Sequence, residues 1–192
     1  MSHRKNNKPL LIFVRGLPGS GKSYLSEALI DQVGASRTLL LDPDAIDTEN
    51  AGYKLLANEL IEQDLNPAIL PFRWLRQSAC KGVSNGKIVI WNQPFTIKGV
   101  FDRLIQFIKD TSTYDGDLRV LVVEIEIDPI EAKQRIDKRM EEGGHGPDDE
   151  TFAKRVFEYE SFSDSYDTVR INGSEEINAS VQKILKKIKL NF

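Results

Sequence analysis

Five short apolar runs recur along the chain, at Leu10–Val14, Thr38–Leu41, Ile88–Trp91, Val120–Ile127 and Thr168–Ile171. The first four are continuous rather than alternating, as expected of strands covered on both faces of a parallel sheet. The fifth is short and the least strand-like. Between the runs, apolar residues return at helical spacing, which predicts helices over 22–32, 52–64, 68–82, 98–110, 130–142, 149–162 and 175–190. Strands alternating with helices imply an α/β fold with right-handed crossovers. No repeat or low-complexity linker interrupts the pattern, so residues 1–192 read as one domain. Asp128-Pro129-Ile130-Glu131 supplies an N-cap, a proline at the first helical position and an acid at the third. Gly143-Gly144 stops the helix that this cap begins.

Composition narrows the class of protein. Hydrophobic residues are 40% and charged residues 29% of the 192, ordinary for a soluble globular domain. No apolar run approaches the roughly 18 residues a membrane span needs. The polar segment Met1–Pro9 leads into an apolar run too short for a signal peptide. Cys80 is the only cysteine, so there is no intramolecular disulfide and no cysteine metal cluster. These features set the expectation of a cytoplasmic protein with no membrane partner. A net charge of −3 argues against nucleic acid held by an overall positive field. The basic groups Arg4, Lys5, Lys8 and Lys183, Lys186, Lys187, Lys189 read as a tail and the polar face of a terminal helix.

Chemistry enters at the end of the first run. Gly16-Leu17-Pro18-Gly19-Ser20-Gly21-Lys22-Ser23 matches the Walker A spacing, with a strand before it and a helix from Tyr24 onward. Glycines let backbone N–H groups turn inward as an anion nest, and the helix N-terminus adds its positive end. Lys22 is expected to bridge the β- and γ-phosphates of a nucleotide, and Ser23 to place its hydroxyl on Mg²⁺.

Two further segments fit a phosphate-transfer site. The second run ends in Asp42-Pro43-Asp44, at the carboxyl end of a strand, where open α/β sheets bind ligands. A kinase acting on an alcohol needs a carboxylate there to orient the hydroxyl and accept its proton. Either acid is equally able to cap the following turn. On the helix beginning at Pro129, Arg135 and Arg139 share one face; Arg155 lies on the next helix, beyond Gly143-Gly144-His145-Gly146-Pro147. Paired guanidiniums followed by glycines suit a lid, about residues 130–160, that closes over a triphosphate. The plainer alternative is a solvated face with a Glu131–Arg135 pair.

The pattern resembles the zeta-toxin-like branch of P-loop kinases. The resemblance rests on GLPGSGKS at Gly16–Ser23, LLLDPDAID at Leu39–Asp47 and the Arg-x-x-x-Arg, Gly-Gly-His-x-Pro and downstream Arg of Asp128–Arg155. It implies a P-loop NTPase sheet of order 2-3-1-4-5, ATP with Mg²⁺ as donor, Asp44 as general base, and Lys22, Arg139 and Arg155 as phosphate-binding cations. It further implies a nucleotide sugar such as UDP-N-acetylglucosamine as acceptor, and leaves room for an antitoxin protein as partner. Asn172-Gly173-Ser174 looks like the loop that packs on adenine in related small kinases. The chain departs from the pattern after its third run, where Trp91-Asn92-Gln93 stands in place of an acid. Asn92 and Gln93 are expected to hydrogen-bond there, Trp91 to stack on a substrate ring, and His145 to sit near the acceptor. Two other functions stay open: a polynucleotide 5′-hydroxyl kinase, and a nucleotide-dependent binding module without catalysis.

Overall fold

The computed structural model describes residues 8–162 and 164–188. Arg4, Lys5 and Lys189, and the end of the helix predicted over 175–190, lie outside them. Five parallel strands run in the order β2-β3-β1-β4-β5. They are β1 Leu10–Gly16, β2 Thr38–Leu41, β3 Ile88–Asn92, β4 Arg119–Glu126 and β5 Thr168–Asn172. The central strand β1 aligns Leu10 with Ile88 on one side and with Arg119 on the other. Seven α-helices connect the described strands: α1 Lys22–Val33, α2 Ala51–Glu62, α3 Leu70–Ser84, α4 Lys98–Thr111, α5 Pro129–Glu141, α6 Asp149–Phe157 and α7 Ile177–Ile188.

The continuous apolar runs are explained by a two-sided core. Leu10, Ile12 and Val14 of β1 point to a layer made by α1 and α7, together with Ile88, Ile90, Leu121 and Val123. Leu11 and Phe13 point the other way, into α3 and α4, with Val89, Trp91 and Val122. Period-two side-chain alternation therefore feeds two cores at once, so the successive positions Leu10–Val14 and Ile88–Trp91 are all apolar. Only Val169 and Ile171 of β5 are buried, and this strand lies at the sheet edge, which is why its apolar run is so short. The pair α5–α6 has a small apolar cluster of its own, Ala132, Ile136 and Phe152.

One predicted boundary differs for a physical reason. Helix α6 ends at Phe157 rather than 162. The guanidinium of Arg15, fully buried on β1, lies 4.2 Å from the Tyr159 ring centroid and 3.7 Å from that of Phe162. It donates a 2.6 Å hydrogen bond to the Glu160 carbonyl, while the Glu160 N–H donates to the Thr96 carbonyl at 3.0 Å. Glu160 thus spends both its backbone groups on β1 and the loop before α4 instead of on another helical turn.

Candidate functional site

All five strands deliver their carboxyl ends to the same edge, and the residues singled out in the sequence gather there. Gly19 and Gly21 have φ of 82° and 93°, so the chain passes through the left-handed region twice before α1 begins. At Gly19 space is also decisive. A Cβ there would meet the Ala132 carbonyl oxygen at 2.3 Å, because α5 packs directly against the loop. The Lys22 ammonium donates to the carbonyls of Gly16 at 3.1 Å and Leu17 at 2.9 Å, lying across the loop mouth. Burial lowers its pKa to about 8; Asp42 and Asp44 pull it back up, and Arg139 adds to the lowering.

The two acids have different surroundings. One oxygen of Asp42 accepts from the Asp44 N–H at 3.0 Å, capping the 3₁₀ turn Pro43–Ala45. Its other oxygen accepts from the Asn92 side-chain amide at 2.6 Å, and the same amide nitrogen reaches the Ser23 hydroxyl at 3.0 Å. Asn92 is buried and its carbonyl oxygen lacks a partner. Asp44 is exposed, with its carboxylate 3.8 Å from His145 Nε2. The place left without an acid at the end of β3 is thus served from beyond the neighbouring strand, by Asp42 accepting from the Asn92 amide that also reaches Ser23.

Helix α5 begins as its sequence predicts, with the Asp128 carboxylate accepting from the N–H groups of Ile130 and Glu131 at 2.8 and 3.3 Å. Arg135 forms the expected pair with Glu131 at 2.6 Å. It also donates to the Gly173 carbonyl at 3.1 Å, which joins α5 to the loop after β5. Asn172 shapes that loop by accepting from the Ser174 N–H at 2.9 Å. A cavity of about 320 Å³ opens beside it, bordered by Tyr24, Arg135, Ile171 and Asn172, with the loop residue Ser20 in its wall.

A larger cleft of about 680 Å³ shares Gly21, Tyr24 and Arg135 with that cavity. Lys22, Ser23, Asp42, Asp44, Asn92, Gln93, Arg139, His145 and Arg155 all line it, together with Pro18 and Gly19. Trp91 does not. It is fully buried among Phe13, Phe72 and Phe95, because the inward side of β3 packs on α3, so the expected ring-stacking role is corrected. Its indole N–H instead donates to the Gln93 side chain at 3.1 Å. At the end of α5 the N–H of Gly143 bonds the Met140 carbonyl and that of Gly144 the Arg139 carbonyl, a Schellman cap. A Cβ on Gly144 would meet Arg139 Cγ at 2.7 Å, so this glycine gives the Arg139 side chain its room.

Sequence reasoning missed the Arg15–Glu124 ion pair, 3.2 Å long and buried at the root of the phosphate loop. Burial lowers the Arg15 pKa, with Tyr159, Glu124 and Glu160 opposing. The available signal was an arginine closing an otherwise apolar run. It missed Pro94 and Thr151 in the cleft wall as well, which carry no such signal.

Comparison with known proteins follows this geometry. The family model described as an AAA domain matches residues 11–161. No curated protein sequence matches significantly. Among solved structures, a gluconokinase from Sinorhizobium meliloti 1021 superposes with a TM-score of 0.59 at 13% identity, covering 95% of this chain and 93% of its own. A deoxyadenosine kinase from M. mycoides with bound dATP gives 0.53 at 16%, covering 93% and 99%. A chain of the PezAT toxin-antitoxin system of Streptococcus pneumoniae gives 0.52 at 17%, covering 70% of this chain and 54% of that one. At such identities these likenesses speak for the fold. With the family model matching residues 11–161, from β1 past the end of α6, the chain belongs to the AAA domain family of P-loop NTPases.

Proposed function

We propose that this protein is an ATP-dependent kinase that transfers the γ-phosphate to a hydroxyl of a small molecule. One observation carries the reading: three cations (Lys22, Arg139 and Arg155) and an exposed carboxylate (Asp44) face one cleft floored by the phosphate loop. Cations facing the transferring group stabilise the charge of the transition state, and a carboxylate beside the acceptor accepts its proton. The adjoining cavity of about 320 Å³ supports adenine binding between Tyr24 and the 172–174 loop. The segments that resemble zeta-toxin-like kinases support that branch for the phosphate-donor side; the nucleotide sugar that the resemblance implies as acceptor has less support in the cleft lining.

The residues present fit Mg²⁺. Ser23, Asp42 and Asn92 form one hydrogen-bonded row beside Lys22, and the orphaned Asn92 oxygen is a buried acceptor suited to metal-bound water. Ser23 would hold the ion directly, with Asp42 and Asn92 ordering its hydration. When bound, the ion would neutralise charge on the β- and γ-phosphates. Helix α5, resting on Gly19, and α6, whose exit is held by Arg15, would carry the lid arginines over the phosphates.

The amide in place of an acid after β3 favours a second reading, a nucleotide-binding module without transfer. Calorimetric titration with ATP and Mg²⁺, alongside turnover, separates them. Lys22→Met should lose affinity and all turnover while melting as wild type does. Unchanged affinity with unchanged turnover would remove the phosphate-loop reading, and tight binding with no transfer by the wild type would leave the binding module.

A further inference from the structure

Resting on the kinase reading above, we propose that the acceptor is an uncharged polyhydroxylated molecule, a sugar or polyol bearing no phosphate. The first argument is the charge balance of the cleft. Four cationic side chains line it, and Arg135 is already committed to Glu131 at 2.6 Å. Lys22, Arg139 and Arg155 then stand against Asp42 and Asp44, leaving a single positive charge. ATP with its metal brings about two negative charges, so the loaded cleft is already slightly negative. Among the described residues, the acceptor end around Asp44, Gln93, Pro94 and His145 adds no lysine or arginine to the three already counted, of which Arg139 lies beside Gly146. Its imidazole faces the Asp44 carboxylate at 3.8 Å. A phosphorylated acceptor would add about two more negative charges beside the γ-phosphate. Each pair of unit charges about 6 Å apart at an effective dielectric near 20 corresponds to roughly a 100-fold penalty.

The second argument is the absence of a stacking surface. Among the described residues, Tyr24 is the one phenylalanine, tyrosine or tryptophan lining the cleft, and it belongs to the side shared with the nucleotide cavity. Trp91 and Phe95 are buried in the core. A base-bearing acceptor, whether nucleoside, oligonucleotide end or nucleotide sugar, finds no ring to rest on. What the acceptor end does offer is a carboxylate that accepts from hydroxyls, and an amide and an imidazole that both accept and donate.

The test is transfer of labelled γ-phosphate from ATP with Mg²⁺ to matched pairs that differ by a phosphate or nucleotide group. Suitable pairs are glycerol and glycerol 3-phosphate, glucose and glucose 6-phosphate, adenosine and AMP, and N-acetylglucosamine and its UDP conjugate. We expect kcat/KM for the best neutral sugar or polyol to exceed that of its phosphorylated partner by at least about 100-fold. Raising ionic strength should narrow that gap, and Gln93→Lys, confirmed folded by its melting curve, should narrow it by at least about tenfold. Equal or faster transfer to the phosphorylated member, or a preference for adenosine over every sugar and polyol, would overturn the neutral acceptor and leave the kinase reading standing. Failure to transfer to any acceptor, with ATP bound, would overturn both.

Discussion

At the scale of the residue, the division of labour between Asp42 and Asp44 governs the chemistry. Their spacing alone leaves cap and base interchangeable, since both flank Pro43 at a strand end. The fold separates them: Asp42 is held by the Asp44 N–H and by Asn92, whereas Asp44 stands open to the cleft. Asp44→Asn should lower kcat by about 10²–10⁴-fold, or roughly 3–5 kcal/mol, with ATP affinity almost unchanged. Asp42→Asn should chiefly raise the Mg²⁺ concentration needed for half-maximal rate, at a stability cost of about 1 kcal/mol or less, because asparagine also caps well. Magnesium titrations of kcat for both variants, with their melting temperatures, check this. The reverse pattern would exchange the two roles. Lys22 adds a pH signature. Burial lowers its pKa to about 8, and bound phosphates would raise it again, so above pH 8 nucleotide binding should draw a proton from solution. Calorimetry at pH 8.5 in buffers of differing ionisation enthalpy should show that uptake, and at pH 6.5 almost none.

At the scale of the element, the lid region is joined to the phosphate loop at two points. Helix α5 presses the Ala132 carbonyl toward Gly19, and the strand end at Arg15 grips the chain leaving α6. Gly19→Ala should therefore weaken ATP binding more than its left-handed φ alone explains, because α5 must move away. Arg15→Met leaves Glu124 buried without its main partner, and should cost about 3–5 kcal/mol in urea denaturation, with Arg15→Met/Glu124→Leu recovering most of it. Arg139→Ala should reduce kcat more than it raises KM for ATP, as expected of charge met best in the transition state. This scale was only partly legible in the sequence. Caps such as Asp128 and stops such as Gly143 act within a few residues and could be read directly. The early end of α6 depends on Arg15, well over a hundred residues away, and no local pattern carries that.

At the scale of the whole molecule, the strands of a parallel sheet were legible because burial on both faces leaves them almost wholly apolar. Their order 2-3-1-4-5 was implied only by the resemblance to P-loop kinases. The cleft was legible where motif residues ride on strand ends and helix starts, as Lys22, Ser23 and Asp44 do, and in the last turn of α5, where Arg139 sits before its glycine stop. It was not legible at Trp91, where the strand runs one residue further than predicted, to Asn92, and period-two alternation turns the indole into the core. The account stands or falls on the fate of the γ-phosphate. Phosphorus NMR of a reaction containing ATP, Mg²⁺ and a panel of neutral hydroxyl acceptors observes that fate directly. The γ resonance should be replaced by a new phosphoester signal with wild-type protein, and only very slowly with Asp44→Asn. Release of the γ-phosphate solely as inorganic phosphate, at the same rate in both proteins, would contradict the account.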